Sequence, residues 1–137
     1  MSKRIAIVLF AAIAAPAVAA DFADIRGTWK GNTESIVMGA GNVHHAPAQP
    51  SEPEFRSVPV TMTIDKQDGR RFAGTFASPR GVTKIVGVLA HGGAVYITDD
   101  IGYSHGTIVT PGRIELCYQY ASAASRIASC TELTKQP

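Results

Sequence analysis

From Arg26 onward the chain is a succession of short segments in which apolar and polar residues alternate, each broken by turn residues, and nowhere does a helical period persist. Strands are expected at about 26–38, 58–66, 70–78, 82–91, 94–99, 103–110, 113–121 and 126–134. Glycine stands in most of the links between them, at Gln67-Asp68-Gly69, Pro79-Arg80-Gly81, Gly92-Gly93, Asp100-Ile101-Gly102 and Pro111-Gly112, where tight turns need positive φ. Strands adjacent in sequence are therefore expected to be adjacent in space. Eight antiparallel strands in simple succession favour an all-β, up-and-down β-barrel, because closure removes both exposed edges. An open sandwich of the same strands is the alternative.

The segment ahead of these strands has a different character. Residues 1–20 run from a basic start (Lys3, Arg4) through an apolar stretch to small residues before Asp21, the layout of a secretory signal peptide cleaved near Ala20/Asp21. The apolar stretch is too short to span a bilayer as a helix, so no membrane span is expected. The barrel domain is expected over 21–137. Two of the 13 basic residues lie in the leader, leaving 11 against 11 acidic ones, so the exported part is neutral. Neutrality excludes nucleic acid and anionic membrane surfaces as partners, since both need a basic face. The two cysteines, Cys117 and Cys130, fall in the exported part, where an even count predicts one disulfide. The expected compartment is the periplasm or the medium.

One connection is long. Residues 39–57 contain Pro47, Pro50, Pro53 and the pair His44-His45, and a loop of this length in a small domain is usually functional or disordered. In a meander it shares an end of the barrel with the Asp100 turn, so His44 and His45 are expected at the mouth.

Gly27-Thr28-Trp29 in the first strand and Phe72-Ala73-Gly74-Thr75-Phe76 in the third resemble stretches of avidins, and the G-x-W start with a long first loop also resembles lipocalins. Both are eight-stranded calycin-type barrels. The resemblance implies a structural plug at Trp29, under Arg126 or Arg113, and a ligand-contacting position at Ser35. It does not extend to biotin. Gly31 stands at the asparagine position of the avidin site, Asn32 is one residue late, Phe76 lacks the tyrosine hydroxyl, and Trp29 is the only tryptophan.

Turn lengths then predict which side chains meet. A two-residue turn at Pro111-Gly112 sets His105 opposite Tyr118 and Tyr103 opposite Tyr120, on the face that carries Ile114 and Leu116. A three-residue Asp100–Gly102 loop with left-handed Gly102 sets Asp99 opposite Tyr103. A four-residue loop at Ser122–Ser125 sets Cys117 opposite Cys130 outside, Tyr120 opposite Ile127 inside, and Glu115 opposite Glu132, a repulsive pair that Arg113 or Arg126 would relieve. The expected interior near the mouth thus holds Asp99, Tyr103, His105, Tyr118 and Tyr120, either as a packed polar core or as a ligand pocket.

The stretch Gly102–Gly106, GYSHG, matches the G-x-S-x-G of serine hydrolases, but a nucleophile elbow leads from strand to helix, and here a strand follows. Ser104 is expected to point outward and no catalytic residue is assigned. His44 and His45 with Asp99, Asp100 or His105 lack the spacing of a metal motif, so neither a metal nor another cofactor is implied. Three function classes remain: an exported, non-catalytic barrel binding a small, partly apolar ligand; a protein-binding module such as a secreted enzyme inhibitor; and an enzyme with Asp99 and His105 as acid and base. No feature fixes an oligomeric state.

Overall fold

The computed structural model describes residues 22–137. The signal-peptide reading of 1–20 lies outside the described residues. Eight strands follow in order: β1 (Gly27–Gly39), β2 (Glu54–Asp68), β3 (Arg71–Ser78), β4 (Gly81–Leu89), β5 (Ala94–Thr98), β6 (Tyr103–Thr110), β7 (Arg113–Ala121) and β8 (Ser125–Lys135). Each pairs antiparallel with its successor, and β8 returns to pair with β1, so the sheet is a closed up-and-down barrel and not an open sandwich. The main departure from the expected boundaries is at β2. Its ladder with β1 continues to Val37↔Glu54, which shortens the long connection to residues 40–53.

The apolar core fills the end opposite this connection. Trp29 is fully buried there among Met62, Ile64, Ile114 and Leu133, and its indole Nε1–H donates to the Ile25 carbonyl at 2.9 Å. The segment before β1 crosses beneath it. Gln67 holds that segment, accepting from Ile25 N at 2.9 Å and donating to Ala23 O at 2.8 Å. The cation expected over Trp29 is neither Arg113 nor Arg126. It is Lys135, whose ammonium lies 5.4 Å from the ring centroid, because β8 pairs Lys135 with Trp29 at the floor and carries Arg126 to the mouth.

The β7–β8 register is the expected one: Ile114↔Leu133, Glu115↔Glu132, Cys117↔Cys130 and Tyr120↔Ile127. The cysteines are joined, with Cα atoms 4.1 Å apart. Arg113 pairs with Glu132 and offsets the repulsion between the facing glutamates.

Two neighbouring ladders differ from expectation by one residue. The Pro111-Gly112 turn does pair Thr110 with Arg113, but a β-bulge at Val109 follows, and beyond it Ile108 faces Ile114, His105 faces Cys117 and Tyr103 faces Gln119. Because side chains alternate, one extra residue reverses the faces of everything beyond it. Tyr103 and His105 therefore lie on the outer wall, Tyr103 at 67% exposure, and Ser104 turns inward. In the β5–β6 ladder Ile97 faces Ser104 and Thr98 faces Tyr103, so Asp99 is not opposite Tyr103. Gly102 is not left-handed. The Asp99 carboxylate closes this turn instead, accepting from the backbone N–H groups of Ile101 and Gly102 at 2.9 Å each.

Replacing Cys117 and Cys130 together by Ala removes a bond that closes a loop of sequence separation 13. Urea unfolding should show a loss of about 3 kcal/mol, and a loss near zero would contradict a stabilising role.

Candidate functional site

The 40–53 connection is a strap folded across the mouth. Its first turn needs glycine at Gly41, where φ is +68° and a Cβ would fall 2.2 Å from the His45 carbonyl oxygen. Asn42 organises that turn: its Oδ1 accepts from the backbone N–H of His44 and of His45, both at 3.0 Å, and its own N–H donates to His45 O at 2.8 Å. The strap is tied to the barrel on two sides. Ala40 N donates to Ala124 O at 2.9 Å beside β8, and Arg56 of β2 donates to Ala46 O and to Pro47 O at 2.7 Å while pairing with Glu54.

These ties push both histidines into the mouth, where they are buried and turned toward opposite walls. The His44 ring lies between two hydroxyls, Ser78 Oγ at 2.9 Å and Thr83 Oγ1 at 3.1 Å, with Phe76 at its edge. The His45 ring stacks on Tyr118, with centroids 5.9 Å apart and an interplanar angle of 8°. The Tyr118 hydroxyl accepts from Asn42 Nδ2 at 3.3 Å, so strap and wall share one hydrogen-bonded group.

Beneath the histidines is a cavity of about 50 Å³. Its wall interleaves apolar side chains (Val60, Ile85, Ile97, Leu116) with polar ones (Thr33, Thr131, Ser129, Ser104, Asp99), so that Ile97 neighbours Ser104 and Leu116 neighbours Thr131. Thr33 and Thr131 share a hydrogen bond through their hydroxyls. Among the described residues two buried side-chain polar atoms lack a protein partner, Ser35 Oγ and His45 Nε2. Burial is the first cause of the shifted ionisation in this group. It lowers the pKa of His45 to about 4, aided by the neighbouring His44 ring and by the positive charges of Arg56 and Arg80. It also lowers that of His44, against the opposing effect of Asp99. Tyr118 is pushed up to about 12 by burial and then by Asp99 and Tyr120.

Of the residues singled out in the sequence, Asp99, Tyr118, His44 and His45 line this one cavity. Ser35 is inside, one pleat nearer the mouth than Thr33 and facing Ser129, and Tyr120 is one pleat above Tyr118. Tyr103 and His105 are on the other side of the wall. Asp99 and His105 consequently form no acid–base pair. Ser104 lines the cavity, contrary to the outward placement expected for it, yet it remains mid-strand with no helix after it. Among the described residues no group of three or more His, Cys, Asp or Glu is arranged to hold a metal ion. Thr33, Thr131, Ser129, Asn42 and Arg56 were not singled out. Parity alone marks Thr33, four residues after Trp29, and Ser129 and Thr131, which share the face of Ile127 and Leu133; nothing local marks Asn42 or Arg56.

No family model and no curated protein matches the chain. Among solved structures, a redesigned β-barrel aligns with a TM-score of 0.47 at 10% identity, over 82% of this chain and 92% of that one.

Because the folded state holds His45 neutral, it binds fewer protons than the unfolded state below the ordinary imidazole value of 6.5. Stability should therefore be full above pH 6.5 and fall as pH drops toward 4. The loss is at most about 3 kcal/mol, limited by the cost of freeing the strap, and His45→Phe should flatten the profile measured by urea unfolding. The bulge makes a second prediction. Tyr118→Ala should cost about 2–3 kcal/mol, whereas His105→Ala on the outer wall should stay within about 0.5 kcal/mol; equal losses would contradict the register.

Proposed function

We propose that this chain is an exported, non-catalytic β-barrel that binds a small, partly apolar ligand at its open end, with the 40–53 strap as cover. The observation that carries this reading is the cavity directly beneath His44 and His45, whose wall combines apolar side chains with a few hydroxyls, the mixture expected of a small-molecule site. At about 50 Å³ it admits only a few heavy atoms with the strap in place. A larger ligand requires the strap to swing aside, which exchanges its polar ties to Ala124 and Arg56 for water and separates His45 from Tyr118. The likeness of Gly27-Thr28-Trp29 and Phe72–Phe76 to avidins and lipocalins agrees with this use of a barrel mouth. Export is supported by the leader-like residues 1–20 and by the disulfide. Mass analysis of the periplasmic or secreted protein should give a chain starting at Asp21.

Calorimetric titration with short aliphatic alcohols and fatty acids tests the site. Ser104→Leu, which fills the cavity from β6, should weaken binding about tenfold or more while melting stays within a few degrees. Absence of binding by every probe, or unchanged binding by Ser104→Leu, would refute the reading.

A second reading has its own support. Phe55 is 80% exposed at the mouth end of β2, and Val43 on the strap and Val82 at the start of β4 are exposed too. Such a rim suits a protein partner, as in a secreted enzyme inhibitor. Inhibition of a protease or lysozyme that Phe55→Asp abolishes would favour it, and no inhibition of either enzyme would count against it.

A further inference from the structure

We infer that the cavity beneath the strap selects a neutral molecule that donates a hydrogen bond, received by His45 Nε2. This rests on the small-ligand reading above and narrows it to a chemical class.

The argument starts at Asn42. One atom of its side-chain amide lies 3.0 Å from two backbone N–H groups, those of His44 and His45, so that atom is the carbonyl oxygen, an acceptor only. The other atom is then the NH2, which donates to the Tyr118 hydroxyl. His45 Nδ1 sits 3.0 Å from the same Oδ1 and must be the nitrogen that carries the proton. A neutral imidazole has one N–H, so Nε2 presents a bare lone pair. That lone pair belongs to a ring only 7% exposed, in the cavity wall, with no protein partner. A buried acceptor left unpaired is costly, and whatever occupies the cavity recovers that cost by donating to it.

The surroundings favour a neutral occupant. Val60, Ile85, Ile97 and Leu116 in the wall cannot hydrate an ion, the Asp99 side chain is already held by the N–H groups of Ile101 and Gly102, and Arg56 is already paired with Glu54. A neutral hydroxyl on a short apolar body carries no such desolvation cost. Carbonyl compounds of equal size offer only acceptors, so even where a wall hydroxyl donates to the carbonyl, His45 Nε2 stays unpaired.

The test compares 2-propanol, acetone and xenon, which share a small size and differ in whether they donate, accept or do neither, by NMR titration of the mature protein. In the free protein His45 Nε2 should show the resonance of an unprotonated ring nitrogen at neutral pH, and 2-propanol should move it upfield. Wild type should prefer 2-propanol over acetone by about tenfold. His45→Phe keeps a flat ring on Tyr118 but removes the acceptor, and should bring that ratio to about one. A proton on Nε2, an equal response to all three probes, or a preference that survives in His45→Phe would overturn the inference while leaving the pocket reading intact. If none of the three binds, both fall.

Discussion

The return of β8 to β1 is the constraint on which everything else in this molecule depends. Nine pairings from Trp29↔Lys135 to Gly39↔Ser125 close the sheet, and closure with eight strands leaves an interior about as wide as the side chains that enter it. Such a narrow tube brings neighbouring backbones close wherever the wall bends. At Gly31 a Cβ would fall 2.0 Å from the Glu132 carbonyl oxygen, and at Gly106 1.8 Å from that of Glu115, so these inward positions accept no side chain. The last glycine of the GYSHG stretch, Gly106, is thus explained by wall geometry, with no reference to hydrolase chemistry.

Closure also divides the interior into two halves with different chemistry. At the floor, Trp29, Met62, Ile114 and Leu133 exclude water and the segment around Ile25 seals them. Toward the mouth the same strands present Thr33, Ser35, Ser129 and Thr131, which cannot pack dry without partners. The strap meets this need only in part. His44 satisfies the hydroxyls of Ser78 and Thr83, while Ser35 Oγ and His45 Nε2 stay unpaired over a cavity. The mouth thus combines a hydrogen-bonded polar part around His44 with a cavity beneath the two histidines.

Tyr118 links the two parts. Its ring carries His45 and its hydroxyl receives Asn42, so the residue that walls the cavity also seats the cover. The cover is therefore sensitive to the charge state of the site: a proton on His45 would be added to a group already facing Arg56, Arg80 and His44.

The sequence by itself determined the strand count, the order of the meander, the disulfide and the β7–β8 register, because alternation and turn residues are local signals and a two- or four-residue loop transmits its register directly to the strands it joins. Trp29 and Tyr118 were legible for the same reason, as inward parity, and the histidine pair as part of a proline-rich loop, whereas Asp99 was placed inside through a pairing with Tyr103 that the barrel does not make. Only the tertiary structure decided what depends on an inserted residue or on distant partners. The bulge at Val109 sits in a Thr107–Thr110 run where two adjacent apolar residues give no clear alternation, and which of Ile108 and Val109 turns inward is settled by packing against Ile114 across the sheet. That choice exchanged Ser104 for Tyr103 and His105 at the site. The inward docking of His44 and His45 likewise depends on Arg56, on Ser78 and Thr83, and on Tyr118, which come together only once the barrel has closed.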